Sequence, residues 1–186
     1  MDAVSAAFEA MPRTGFLPLH QQGRAAHDGP LDIGHGQTCS QPRTVAAMLR
    51  LLAVRPGDRV LDVGSGSGWT TALLAHLTGP EGLVVGVELE PELVMSGAAH
   101  LARTDQPWAR IDVAAPGVLG VPEEAPYDRV LVSAEADELP APLLDQLAAP
   151  GRLVVPVAGE MLLVVRDGDG RDSVSGHGRY RFVPLR

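Results

Sequence analysis

Short apolar runs alternate with segments of helical periodicity along the middle of the chain. The runs predict buried strands, because a strand covered on both faces is apolar at nearly every position. The predicted strands occupy residues 60–63, 83–88, 111–113, 127–135 and 152–157. The predicted helices occupy residues 2–10, 69–77, 92–101 and 142–149. This alternation predicts a mostly parallel sheet in an α/β fold.

The C-terminal part of the chain changes character. Residues 161–166 and 179–186 are rich in apolar side chains, and the glycine-rich residues 167–178 join them. We expect these two segments to pair as an antiparallel hairpin. The length of the chain suits one domain, with an N-terminal part (1–56), a core (57–157) and the C-terminal hairpin (158–186).

The N-terminal part contains a long stretch without sustained periodicity. Residues 12–33 include three prolines and an Asp-Gly pair, which predicts an irregular loop of the kind that often carries function. Apolar residues at helical spacing begin at Val45, shortly after Ser40. Ser40 is therefore predicted first to be the N-cap of a helix.

A glycine-rich turn joins the first core strand to the next helix. Asp62, Gly64, Gly66 and Gly68 form the pattern D-x-G-x-G-x-G. Glycines have no Cβ, so a ligand can approach the backbone, and the N-terminus of the following helix offers free N–H groups. The G-x-G-x-x-G of dinucleotide-binding loops would need a third glycine where Trp69 stands, and the Gly-Lys-Ser/Thr of a P-loop is absent. The motif therefore disfavours a nicotinamide-dependent enzyme and a P-loop nucleoside triphosphatase.

The charges around this turn narrow the choice of ligand. Glu88 ends the next predicted strand, about 20 residues beyond the glycines, where an open α/β sheet places the acidic residue that binds ribose hydroxyls. No Lys or Arg occurs between Arg59 and Arg103. A pyrophosphate would usually be met by a cation, whereas an ammonium and a sulfonium would be met by carboxylates such as those of Asp62 and Glu88. These residues predict S-adenosylmethionine as the ligand.

Composition limits the other classes of function. The 186 residues carry a formal net charge of −8 and no basic run, so the long-range field repels nucleic acid. The six histidines form no pair at helical spacing and Cys39 has no CxxC partner, which predicts no metal site. Residues 1–20 lack a signal-peptide core and no apolar stretch is long enough to span a membrane, so we expect a cytoplasmic protein. Ser40 lacks the G-x-S-x-G elbow of the serine hydrolases.

Motifs along nearly the whole chain resemble those of one enzyme family. The two most specific are GQTxSQP at residues 36–42 and the closing FVPL at residues 182–185. Further matches lie at residues 12–18, 28–34, 60–69, 86–88, 126–129 and 146–154. In these motifs the chain is similar to the protein-L-isoaspartate O-methyltransferases. The resemblance implies a Rossmann-like S-adenosylmethionine-dependent methyltransferase fold with a seven-stranded sheet, and S-adenosylhomocysteine as the product. It also implies that the acceptors are abnormal L-isoaspartyl residues in proteins or peptides, which the reaction helps to repair.

The resemblance assigns roles to single residues as well. Ser40 corresponds to the active-site residue of the family, and Glu88 to the residue that holds ribose. The residues that would bind the donor are Gln37, Thr38, Cys39, Ser40, Asp62, Gly64, Ser65, Gly66, Ser67, Gly68, Glu88, Leu89, Pro116, Gly117 and Glu160. We expect a monomer.

Several positions depart from the family pattern. Pro116 stands where an aspartate usually lies beside adenine, Glu160 where a glutamine often assists the donor, and Cys39 where isoleucine is usual. These departures leave two alternatives beside the repair enzyme. One is a carboxylate O-methyltransferase with a dedicated peptide substrate, and the other is a donor-binding domain that has lost catalysis.

Overall fold

The structure is a computed structural model and describes residues 2–186. Its helices are α1 (Ala3–Ala10), α2 (Leu19–Gln22), α3 (Pro42–Leu52), α4 (Trp69–Thr78), α5 (Pro91–Leu101) and α6 (Ala141–Leu144). Its strands are β1 (Leu31–Gly34), β2 (Gln37–Cys39), β3 (Arg59–Val63), β4 (Leu83–Glu88), β5 (Ala109–Val113), β6 (Tyr127–Val132), β7 (Leu147–Val157), β8 (Glu160–Arg166) and β9 (Asp172–Arg179). Within residues 2–186, none of the helices combines the length and the apolar character that crossing a membrane requires.

A seven-stranded sheet in the order β5-β4-β3-β6-β7-β8-β9 forms the centre of the fold. The five strands from β5 to β7 are parallel, whereas β8 and β9 are each antiparallel to the preceding strand. The predicted α/β fold, with a mostly parallel sheet and C-terminal antiparallel strands, is thus confirmed. Because β4 and β6 lie on opposite sides of β3, the strand order reverses there, and this is where open α/β sheets bind ligands.

Apolar side chains cover both faces of the sheet. In β3, Val60 packs in the cluster that contains residues of α1, α3, α4 and α5, while Leu61 and Val63 pack in the opposite cluster with Leu143 of α6. Two-sided burial explains why the core strands have continuous apolar runs. Asp62 is the polar exception in the middle of this strand, and it is fully buried.

The long N-terminal loop is more ordered than its sequence predicts. Residues 12–33 contain a 3-10 turn at Arg13–Phe16, helix α2 and the beginning of β1. The strands β1 and β2 pair as an antiparallel hairpin that buries Leu31 and Cys39 opposite each other. The chain then reaches Ser40 directly from β2, so this hairpin determines where Ser40 lies.

Ser40 is not a helix N-cap, so that prediction is wrong. Helix α3 begins at Pro42, and its N-cap is Gln41, which makes no side-chain capping hydrogen bond. The Oδ1 atom of Asp28 instead accepts a hydrogen bond from the backbone N–H of Arg43 at 3.1 Å. A carboxylate from the preceding loop thus satisfies one of the free N–H groups of the helix.

Two predicted elements near the C-terminus are also wrong. The helix expected at residues 142–149 is only the four-residue α6, because Leu147 already pairs with Tyr127 in the sheet. The strand that pairs with β8 is β9, formed by the polar and glycine-rich residues 172–179, and not the apolar segment that follows it. An edge strand bonds to one neighbour only, so all eight residues of β9 can be exposed.

Candidate functional site

A cavity opens at the carboxyl ends of β3, β4 and β6. Its position matches the reversal of strand order, which is where open α/β sheets bind ligands. The walls come from the glycine loop (residues 64–67), the end of β4, residues 133–134, the hairpin end (residues 37–40) and the C-terminal residues 183–186.

The glycine loop has a backbone that other residues rarely adopt. Gly64, Gly66 and Gly68 have φ values of 80°, 53° and 87°. The N–H groups of Gly64 and Ser65 donate to Val87 O at 2.9 and 3.1 Å, which fastens the loop to β4. Left-handed backbone costs other L-residues about 1–2 kcal/mol each, so the glycines make this tight turn possible.

Helix α5 supports the loop from behind. A Cβ on Gly97 would lie 2.9 Å from Gly66 O and 3.1 Å from Ile111 Cδ1, so only glycine lets α5 approach the loop this closely. His100 Nδ1 lies 2.9 Å from Ser67 O. Because a carbonyl only accepts, this nitrogen carries the proton. Neither Gly97 nor His100 is in a recognisable motif, so sequence reasoning missed both.

We expect Gly97→Ala to destabilise the protein, although alanine favours helices over glycine by about 1 kcal/mol. The clash with a backbone oxygen should cost about 1–3 kcal/mol, because neither α5 nor the loop can move freely. Urea unfolding measures the difference. The Ala99→Gly variant, at an exposed position of the same helix, measures the helix-propensity effect alone. An increase in stability for Gly97→Ala would contradict the close packing.

Asp62 lies beneath the loop and is fully buried. Its Oδ2 accepts hydrogen bonds from Thr70 Oγ1 at 2.8 Å and Thr71 Oγ1 at 2.7 Å. Its Oδ1 has no partner in residues 2–186, and neither has the buried Ser65 Oγ. Burial raises the pKa of Asp62 to about 6; the threonine hydroxyls lower it in part, and the charge of Glu88 raises it.

The raised pKa of Asp62 predicts a loss of stability as pH rises. Between pH 4 and pH 7 the unfolded chain releases this proton near its ordinary pKa of 3.8, whereas the folded chain keeps it up to about 6. The unfolded state therefore binds fewer protons in this window, and stability falls by roughly 2 kcal/mol from this group alone.

Substitution isolates that contribution. Asp62→Asn should remove it, so the difference in unfolding free energy between variant and wild type should change by roughly 2 kcal/mol between pH 4 and 7. Urea titrations at both pH values give this difference, with Asp137→Asn on the surface as the matched control. A difference that does not change with pH would contradict the raised pKa.

Glu88 places a fixed carboxylate at the edge of the cavity. Its side chain accepts from the backbone N–H groups of Gly66 at 2.9 Å, Leu89 at 2.7 Å and Glu90 at 3.1 Å. The residue is only 8% exposed. Three N–H donors hold the carboxylate in one orientation, and its remaining lone pairs can still accept hydroxyl donors from a ligand.

A second cavity meets the first at three hydroxyl-bearing residues. Thr38, Ser40 and Ser133 line both cavities. Ser40 is half-buried and follows β2 directly. The outer part of the second cavity is lined by residues of α3 and by residues 178–183. The geometry therefore provides an inner and an outer compartment that join at Ser40.

The structure brings most of the predicted site residues together. Those that line the first cavity are Gln37, Thr38, Cys39, Ser40, Gly64, Ser65, Gly66, Ser67, Glu88 and Leu89. Asp62 lies under the loop, and Gly68 is the buried N-cap of α4 at the end of the loop. Pro116 and Gly117 lie on an exposed turn, and Glu160 is exposed at the start of β8, so these three are outside the cavity wall. The part of all these residues in binding stays a prediction.

The C-terminal segment, residues 183–186, forms one wall of the first cavity. The strand patterns in the sequence did not predict this wall. Pro184 bridges to Glu135 beyond β6, and the N–H of Leu185 donates to Glu135 O at 2.7 Å. Arg186 brings a cation to the cavity wall, and its Nη2 lies 2.8 Å from Glu90 Oε1. The sequence predicted that the ligand would have no cation around it. This prediction is correct for the glycine loop but wrong for the whole cavity. Only the FVPL motif pointed to this segment.

A buried glutamine holds the opposite wall. Gln146 Oε1 accepts from the N–H of Val121 at 2.8 Å, and its Nε2 donates to Leu119 O at 2.7 Å. Val118, Leu119 and Gly120 line the cavity here, in place of the nearby Pro116. A side-chain amide from the segment between α6 and β7 thus fixes the loop after β5.

The polar groups of the first cavity suit a cationic nucleoside ligand. The glycine backbone leaves room for close approach, Glu88 offers an anchored carboxylate, and the unpartnered Ser65 Oγ can bond to a ligand. Together with the strand order, these features define a Rossmann-like methyltransferase of the S-adenosylmethionine-dependent class.

Comparison with known proteins gives the family. The model of the family "Protein-L-isoaspartate(D-aspartate) O-methyltransferase (PCMT)" matches residues 1–186. The protein-L-isoaspartate O-methyltransferase of Methanopyrus kandleri is 42% identical over 186 residues, which cover 98% of this chain and 82% of that protein. The chain belongs to the protein-L-isoaspartate O-methyltransferase family.

Two solved structures agree with this assignment. A protein-L-isoaspartate O-methyltransferase superposes with a TM-score of 0.87 at 28% identity, covering all of this chain and 62% of that one. This chain thus spans less than two thirds of that protein. A Plasmodium falciparum member of the family, in complex with S-adenosyl-L-homocysteine, superposes with a TM-score of 0.86 at 27% identity and is covered to 91%.

Proposed function

We propose that this chain transfers a methyl group from S-adenosylmethionine to the free carboxylate of L-isoaspartyl residues in proteins or peptides, as a step of protein repair. The observation that carries the proposal is the meeting of two cavities at Ser40. The inner one has the groups for a donor, and the outer one is open to a peptide. Family membership supports the same assignment of donor and acceptor.

The donor would be held by the glycine loop and Glu88. S-adenosylmethionine supplies a methyl group on a positively charged sulfonium. The carboxylate of Glu88 is fixed to accept hydrogen bonds from ribose hydroxyls, and the raised pKa of Asp62 still leaves it mostly ionised at pH 7, which favours a cationic ligand nearby.

The acceptor needs no general base from the protein. A free α-carboxyl has an ordinary pKa of about 3.3–3.7 and is already ionised at pH 7. The chain has to place this carboxylate and exclude water, because the transfer brings a negative and a positive charge together and gains from a dry site. The hydroxyl of Ser40, at the junction of the two cavities, can donate to one carboxylate oxygen and leave the other to react.

Two side-chain contacts join the β1–β2 hairpin and the C-terminal segment to the start of α5. Arg186 pairs with Glu90, and His35 Nε2, in the turn of the β1–β2 hairpin, lies 2.9 Å from Glu92 Oε2. The hairpin and the C-terminal segment are thus attached to the same helix end. We infer that they exclude water from the donor compartment during transfer.

The experiment that tests the function is a methyl-transfer assay with a synthetic isoaspartyl peptide. The wild type should transfer labelled methyl from S-adenosylmethionine, and mild alkali should release the label, as expected for an ester. If the protein bound the donor but methylated no isoaspartyl peptide, the proposal would be wrong. The chain would then be a donor-binding domain that has lost catalysis.

A second candidate function is a carboxylate methyltransferase with one dedicated acidic peptide. The outer cavity favours it, because Arg43, Arg179 and Arg181 line it. Arg43 is paired with Asp28, whereas the other two form no ion pair within residues 2–186. If this candidate is correct, isoaspartyl peptides with acidic flanks should have a much higher kcat/KM than those with basic flanks. Equal values would favour general repair.

The proposal includes a monomer that acts in the cytoplasm without a metal and without nucleic acid. A net charge of −8 supports the last point. The buried free thiol of Cys39 suits a reducing compartment. Within residues 2–186 no three metal-binding side chains are grouped.

A further inference from the structure

The guanidinium of Arg13 is bonded to backbone carbonyls next to the site. Its Nη2 lies 2.9 Å from Gly29 O, 2.7 Å from Cys39 O and 2.9 Å from Ser40 O, and its Nη1 donates to His27 O at 3.0 Å. The residue is only 5% exposed. One side chain thus binds the two backbone carbonyls that flank Ser40, its own and that of Cys39.

No carboxylate in residues 2–186 forms an ion pair with this cation. The ion pairs formed within residues 2–186 do not include Arg13. Its guanidinium carbon lies 5.5 Å from the ring centre of Trp69, which lines the first cavity. Burying an unpaired charge costs several kcal/mol, and a well-packed apolar side chain would avoid that cost. A role in stability alone therefore explains this arginine poorly.

We propose that Arg13 is a positioning residue for methyl transfer, which fixes the backbone of Ser40 and presents positive charge to the acceptor carboxylate. This inference rests on the proposed function. The fork of the guanidinium uses three nitrogens at once: Nε lies 3.4 Å from Cys39 Sγ, Nη1 donates to His27 O, and Nη2 faces the carbonyls of residues 29, 39 and 40. The single nitrogen of a lysine cannot occupy all three of these positions. The positive charge favours an anion bound at Ser40.

The two parts of the proposal predict different kinetic effects. Arg13→Lys keeps the charge but loses the fork, so kcat should fall at least about tenfold, because a small displacement of Ser40 misaligns the reacting groups. Arg13→Met removes the charge as well and should raise the KM for the isoaspartyl peptide in addition. Both variants should bind S-adenosylhomocysteine like the wild type, because the donor loop is held by β4 and α5.

Arg129 provides a control for the loss of a buried guanidinium. It donates to Ala53 O at 3.2 Å and Asp128 O at 2.8 Å, in the first half of β6 away from the cavities, and unlike Arg13 it also pairs with Asp58 at 3.2 Å. Arg129→Lys should lower the melting temperature while leaving kcat unchanged. If Arg13 had only a structural role, Arg13→Lys would likewise lower the melting temperature and leave kcat unchanged.

The experiment measures kcat, KM for an isoaspartyl peptide, affinity for S-adenosylhomocysteine and melting temperature for all four proteins. A kcat of Arg13→Lys within about threefold of wild type would overturn the proposal. Donor affinity that falls as much as turnover would also overturn it, because Arg13 would then act through Trp69 and the donor compartment. If Arg13→Lys does not fold, Arg13→Met supplies the same comparison. An inactive wild type would instead refute the proposed function.

Discussion

Gly66→Val is expected to abolish measurable binding of S-adenosylhomocysteine while leaving the protein folded. Gly66 has φ of 53°, lines the first cavity, and donates its N–H to Glu88. A Cβ at this position would lie 3.3 Å from Ile33 Cδ1, which also lines the cavity. The valine side chain would therefore fill part of the space that the ligand needs. Affinity should fall by about 100-fold or more, which corresponds to about 2.8 kcal/mol. Titration calorimetry measures it.

Gly79→Val is the control for backbone strain. Gly79 follows α4 with φ of 65°, and no atom lies within 4 Å of a Cβ at this position. Both variants should lose stability, by about 1–3 kcal/mol each, because each puts a β-branched residue at a positive φ. Only Gly66→Val should lose the ligand. Unchanged affinity in a folded Gly66→Val protein would mean that the donor does not lie on this loop.

Ser40→Ala is expected to lower kcat/KM for an isoaspartyl peptide by about 100-fold, if its hydroxyl orients the acceptor carboxylate. Since Gln41 and not Ser40 is the N-cap of α3, the substitution should change stability by less than about 0.5 kcal/mol. Affinity for S-adenosylhomocysteine should be unchanged. Steady-state kinetics, calorimetry and urea unfolding measure the three quantities.

Ser96→Ala on α5 is the matched control for loss of a serine hydroxyl, because Ser96 Oγ donates only to Leu93 O within its own helix. It should turn over at the wild-type rate. Ser40→Gly should be as slow as Ser40→Ala. If Ser40→Ala also turns over at the wild-type rate, Ser40 is not catalytic and the junction of the two cavities has another role.

The core of the fold could be predicted because its signals are local. Continuous apolar runs identify β3, β4 and β6, since both faces of these strands are buried. The glycine pattern at residues 64–68 requires the tight turn, and Glu88 follows at the end of the next strand. Where each step depends on residues that are close in sequence, the pattern is sufficient to predict the structure.

The errors concern residues whose structure depends on distant partners. Ser40 has the sequence position of an N-cap, but Pro42 fixes the helix start and Asp28 reaches in from an earlier loop. β9 lacks an apolar pattern because it needs only the backbone of β8. No local pattern reveals that Tyr180 leaves the sheet and that Pro184 crosses to Glu135.

Part of the site was missed for the same reason. Gly97 looks like an ordinary helix glycine until the loop carbonyl behind it is seen, and Gln146 looks like a surface amide although it is buried. Arg13 lies 26 residues from Cys39 in sequence, and its five contacts are all with residues at least 14 positions away. Such residues support the site, but their chemistry is visible only in three dimensions.

The most direct test of the proposed function compares one isoaspartyl peptide with its normal aspartyl twin at saturating S-adenosylmethionine. The two peptides have the same composition and charge, and they differ only in which carboxyl group of the residue is free. We predict that the wild-type protein forms a base-labile methyl ester on the isoaspartyl peptide and none on the twin. Equal methylation of both peptides, or methylation of neither by a protein that binds the donor, would contradict the assignment.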